Sequence, residues 1–149
     1  MGIRISKATN MIPGNKGKSF VTIMVIVAFS ALLLRIAIEK ALVITCAQNE
    51  AAAQASLKAM AIALDNYARD HKDIYPQSIA TLIKSEPIYL DRDYIAESPM
   101  KGYIYNCARL DESGYSCYAF PQRCELTGNL SFTVTTGNLL VSENCRDKD

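Results

Sequence analysis

Histidine is nearly missing from this chain: His71 is the only one in 149 residues. Any serine–histidine–carboxylate relay would have to use that one imidazole, and no nucleophile elbow accompanies it. The five cysteines (Cys46, Cys107, Cys117, Cys124 and Cys145) contain no C-x-x-C pair, so with a single histidine no zinc site is expected. His71 falls at a helix end, where its ordinary part is to meet the terminal carbonyls. The pairs Asp70/Asp73 and Asp91/Asp93 carry donors suited to a hard cation, but they read as solvated loop charges. The sequence therefore gives no catalytic residue, no metal site and no cofactor, and describes a protein that interacts rather than catalyses.

Proline and glycine are missing from Phe20 to Lys72. Left uninterrupted, those roughly 53 residues make a helix about 80 Å long. Charge is missing from its front: FVTIMVIVAFSALLL, residues 20–34, carries none. A membrane-spanning helix needs about 20 mostly apolar residues, and residues 20–38 reach that length once Arg35 is accommodated. Arg35 stands four residues before Glu39, so the two share a helix face and can pair. Arg35 can also snorkel to the headgroups or take a partner on another molecule. A cleaved signal peptide would need a small-x-small site after the apolar core, which IAIEKAL does not offer. Lipid attachment at Cys46 would need small residues where Val43-Ile44-Thr45 stand.

The charges are unevenly placed. Residues 1–40 hold six Lys or Arg against Glu39 alone, a net of +5, and residues 41–149 hold ten against fourteen Asp or Glu, a net of −4. A basic leader ahead of an apolar run, followed by an acidic body, fits a single-pass protein with its N-terminus inside. An acidic body is a poor nucleic-acid binder, and no nucleic-acid partner is expected.

The rear of the helix is amphipathic. Leu57, Met60, Ala61, Leu64, Tyr67 and Ala68 follow i, i+3, i+4, i+7 spacing and predict a buried stripe. Tyr75-Pro76 turns the chain, Ser78 can cap a short helix QSIATLIK, and four strands are predicted at 103–107, 115–120, 130–135 and 138–142. Thr136-Gly137 reads as a tight hairpin turn. The fold class expected is α+β, one long helix covering a small antiparallel sheet.

Four cysteines in the last third suit two disulfides in an exported domain. If the turn ARLDESG centres on Glu112, Cys107 and Cys117 lie opposite one another at about 4.5 Å between Cα atoms, within disulfide reach. Cys124 and Cys145 would then close the C-terminal loop, worth about 3 kcal/mol by chain entropy. Four cysteines still allow three pairings. Cys46 is left over on the helix and reads as a small buried apolar residue.

Three local matches carry little. GNKGKS (14–19) lacks the first glycine of a phosphate loop, since Ile12 stands there and no strand precedes it. Met1-Gly2…Ser6 fits a myristoylation pattern frequently met by chance. Asn129-Leu130-Ser131 is a glycosylation sequon that matters only in a eukaryotic secretory route.

The basic leader, the Ser19-Phe20 junction and the unbroken run into EAAAQASLKAMAIALDNYARDHKDIYPQSIATLI together resemble the type IV pilin-like family. The likeness is greatest to the major pseudopilin of type II secretion systems. MKGYIYNC…GYSCYAFP is similar to that family's Gly-Tyr strand pair, and the Cys124…Cys145 loop to its C-terminal loop. The likeness covers about residues 16–145, and residues 50–83 are its most specific part. It implies a pilin-like fold with a leader at 1–19, a transmembrane and assembly half of the helix at 20–43, and an extracytoplasmic head at 44–149. It also implies cleavage between Ser19 and Phe20 by a prepilin peptidase, and a place in the inner membrane with the head periplasmic or extracellular. The partners implied are other pilin-like subunits, that peptidase, an inner-membrane assembly platform and membrane lipid. This chain departs from the pattern at three points. Ser19 replaces the glycine before the cut, Met24 stands where the family has its assembly glutamate, and Glu39 lies near the place of a helix-breaking proline. The expectation is a structural subunit, minor or tip-like, of a secretion pseudopilus or type IV pilus, with Met24, Arg35 and Glu39 on its assembly helix. The alternative is a single-pass anchored binding module of the same fold that does not polymerise.

Overall fold

The structure, a computed structural model, describes residues 18–148. The leader through residue 17 lies outside them. Helix α1 (Lys18–Asp70) runs for 53 residues, as a segment without proline or glycine should. It is followed by α2 (Ile79–Lys84), strands β1 (Tyr103–Asp111), β2 (Gly114–Pro121), β3 (Leu130–Thr135) and β4 (Leu139–Asn144), and a closing 3-10 turn, Cys145–Lys148. Among the described residues, those up to Glu39 and those from Lys40 onward form two units.

In the second unit the strands form one antiparallel sheet in the order β1-β2-β3-β4. The rear of α1 packs on it, and the fold is α+β. Leu57, Met60, Ala61, Leu64 and Ala68 are buried, and Tyr67 packs at the edge of the cluster, which is the stripe that the spacing predicts. Ala53, Ala61 and Ala63 contribute no bulk, so the helix backbone approaches the sheet closely enough to bury Tyr103 and Tyr115. Alternation along β2 sends Tyr115, Cys117 and Ala119 inward, as the two-residue period of a strand requires.

The helix stops at Asp70, five residues before the proline- and glycine-free segment ends at Tyr75. Lys72 and Asp73 both take left-handed backbone angles, φ 60° and 62°, and the Asp73 N–H donates to the Ala68 carbonyl at 2.8 Å. That cap needs no glycine. Ser78 caps α2 as expected, its hydroxyl accepting from the Ala80 N–H at 3.2 Å.

Three expectations about the sheet change. β1 continues four residues past Cys107, because Arg109 to Asp111 pair with β2 instead of turning. Its turn is a two-residue one at Glu112-Ser113, with Asp111 opposite Gly114. The β3–β4 turn has three residues, Thr136, Gly137 and Asn138, with Thr135 opposite Leu139. Gly137 at φ 86° and Asn138 at φ 60° supply the left-handed angles that such a connection asks for.

Candidate functional site

The site expected from the sequence is the front of α1. Among the described residues, every side chain from Phe20 to Thr45 is exposed, and sixteen large apolar ones lie between Phe20 and Ile44. Soluble monomers rarely leave so large an apolar surface bare. The segment is long and apolar enough to cross a membrane. Two of its hydroxyls are turned back on the helix: Ser30 donates to the Ile26 carbonyl at 2.7 Å, and Thr45 to the Ala41 carbonyl at 2.8 Å. Back-bonding of this kind satisfies both hydroxyls without water.

Phe20 and Met24 lie exposed on this helix, and the Ser19–Phe20 bond falls in its first turn. Arg35 donates from Nε to a Glu39 carboxylate oxygen at 3.3 Å, the i, i+4 pairing expected. Both side chains remain largely open, at 80% and 65%. Cys46 is the first buried residue along α1.

From Cys46 onward the helix holds the head by side chains. Cys46, Asn49 and Glu50 stand at i, i+3 and i+4, on one face. The Asn49 amide donates to the Thr127 carbonyl at 2.9 Å, and Glu50 accepts from the Asn129 N–H at 2.6 Å. The Cys46 thiol points at the Glu125 carbonyl, 3.7 Å away. All three reach the loop between Cys124 and β3. That loop is itself closed by a Cys124–Cys145 disulfide, and Cys107–Cys117 joins β1 to β2. These are the two bridges that the strand reading favours among the three possible pairings, and they suit an oxidising compartment.

Asp65 is a second anchor that the sequence does not reveal, because it lies opposite the apolar stripe, on the face that carries Lys58, Asn66 and Arg69. One carboxylate oxygen accepts from the Tyr75 hydroxyl at 3.2 Å and the other from the Asn138 amide at 2.5 Å. It ties the helix to the chain after it and to the β3–β4 turn. Burial, then the Asp65 carboxylate, pushes the Tyr75 phenol up. At the helix end Tyr89 donates to Asp70 at 2.6 Å. That bond first, with desolvation second, pushes the Tyr89 phenol up to about 12. His71 stacks on Tyr67 and its Nδ1 lies 2.8 Å from the Tyr67 carbonyl, a structural role. Asp91 pairs with Arg92, which holds its carboxyl low, and Asp93 accepts from the Ile95 and Ala96 N–H groups at 3.0 Å.

The face of the sheet turned away from the helix holds an open groove of about 600 Å³ lined by Ser116, Tyr118, Phe120, Ser131 and Thr133 beside the Cys124–Cys145 bridge. Tyr118 and Phe120 stack there, ring centres 5.8 Å apart. Period-2 alternation could have shown this pair in the sequence.

The chain matches no protein-family model and no curated protein sequence.

Proposed function

We infer that this protein is a pilin-like structural subunit, minor or tip-like, of a type II secretion pseudopilus or type IV pilus. It sits in the inner membrane by the front of α1, with its N-terminus cytoplasmic and its head periplasmic or extracellular. The observation that carries this reading is the split character of one helix: residues 20–45 are bare and apolar, and residues from Cys46 on are locked to a disulfide-braced head. A helix with nothing to cover its front is suited to lipid and to other helices of its kind, held by van der Waals packing. Met24 in place of an assembly carboxylate favours a minor subunit whose helix joins its neighbours by another contact than the family's usual one. Its partners would be other pilin-like subunits, the prepilin peptidase, an inner-membrane platform and membrane lipid. No enzymatic step is assigned to it.

The groove on the outer sheet face favours one other reading, an anchored binding module whose Tyr118–Phe120 pair meets a ligand. Intact-mass measurement of the protein purified from its own membranes separates the two. A chain beginning at Phe20, with four cysteines oxidised, is the outcome expected of a processed filament subunit. A full-length chain that keeps residues 1–19 contradicts processing and supports the anchored module.

A further inference from the structure

The uncharged run Phe20–Leu34 is too short to cross a membrane alone. Its 15 residues rise about 22 Å at 1.5 Å each, against a hydrocarbon core about 30 Å thick. It cannot be lengthened on the leader side, where Lys16 and Lys18 stand. The span must therefore take in Arg35, and a core of that thickness ends near Glu39. The Arg35–Glu39 pair thus lies in the outer part of the hydrocarbon, with its side chains 80% and 65% open to whatever surrounds the helix. An ion pair satisfied only by itself and facing acyl chains is costly.

We propose that a second copy of this chain covers it, and that one copy's Arg35 pairs with the neighbouring copy's Glu39. The charges match those of a second copy in two arrangements, antiparallel helices or parallel helices displaced along their axis. The basic leader fixes the same insertion direction for every copy, so neighbouring helices are parallel. Level with one another, they set Arg35 against Arg35. Displaced by four residues, about 6 Å along the axis, they set Arg35 against Glu39. One copy then keeps an unmatched Glu39 and the other an unmatched Arg35, each open to a further copy. This contact is head-to-tail and does not close on itself, so it can seat a further copy at either end of the pair. A lipid phosphate is the poorer partner, because the pair carries no net charge to attract it.

The proposal rests on the assembly reading above, and its test separates the two. Two differently tagged full-length copies are produced together and co-purified from membranes. The parent chain co-purifies with itself. R35E with R35E, and E39R with E39R, lose about tenfold or more of that recovery, which corresponds to a modest binding increment. R35E mixed with E39R, and the exchanged chain R35E/E39R with itself, recover it to within about twofold. Two chains that merely fail to insert cannot restore each other. Single reversals that still self-associate, or a mixture that does not recover, overturn the pairing and leave the assembly reading standing. A parent chain that never co-purifies with itself overturns both.

Discussion

Cys107 lies directly opposite Cys117, Cα atoms 3.9 Å apart, although the turn joining their strands would set Cys107 against Tyr118. The two-residue turn pairs Asp111 with Gly114 and Arg109 with Ser116, and a bulge between Cys107 and Arg109 then moves the register by one. Ala108 is the extra residue. A bulge leaves the strand's inward set intact on both sides, so Tyr103, Tyr105, Cys107 and Leu110 all pack toward the core. Deleting Ala108 is expected to leave both ladders in register, keep the Cys107–Cys117 bridge and change stability little. Deleting Asn106 turns Tyr103 and Tyr105 to the solvent face, because a one-residue slip reverses every side chain. Thermal unfolding with free-thiol counting checks the contrast, and equal loss in both deletions contradicts it.

Gly128 fits because it has no side chain. A Cβ there would stand 2.1 Å from the Tyr103 hydroxyl oxygen, which itself donates to the Leu130 carbonyl at 2.7 Å. G128A is expected to cost about 1–3 kcal/mol through overpacking, measured by denaturant unfolding of the oxidised protein. In a Y103F background the penalty shrinks, since the clashing oxygen is gone.

Tyr89 donates to Asp70 and titrates near 12. A phenol whose folded pKa is raised stabilises the fold fully below its unfolded value near 10. That contribution is lost as pH rises through about 12. Ultraviolet titration of the parent and of D70N checks this. The Asp70 variant is expected to return one tyrosine toward 10, and an unchanged titration curve contradicts the bond.

The Cys124–Cys145 bridge closes a loop of 21 residues that also receives the contacts of Asn49 and Glu50. Replacing both cysteines by serine is expected to cost about 3 kcal/mol. It should also speed amide exchange over residues 123–129 before the rest of the sheet. Uniform exchange across the head would show that the loop is not a separate element.

The long helix was legible because its two determinants, missing breakers and a stripe at 3.6-residue spacing, are local. The strands at 115–120 and 130–135 were legible for the same reason, and the facing of Cys107 and Cys117 was read from a turn centred on Glu112. The Ala108 bulge was not, because Arg109-Leu110-Asp111 carry the polar look of a turn and only pairing with β2 makes them strand. The three-residue turn at Thr136–Asn138 was hidden because Asn138 in a left-handed conformation reads like any strand-entering residue. Asp65 lies opposite the apolar stripe and Asn49 and Glu50 lie ahead of it, and a helical pattern shows which residues avoid water and not which polar ones find partners 70 or more residues away. Of the candidate site, the bare apolar front and the Arg35–Glu39 pair could be read directly, since both are set within one helix.

The most direct measurement is oxidative cross-linking in native membranes, with single cysteines placed in turn from Phe20 to Ile44 of full-length C46S protein. Packing between copies predicts disulfide-linked dimers recurring every three to four positions, the repeat of one helix face. A scan without any dimer, or recovery of the protein in the soluble fraction, would contradict it.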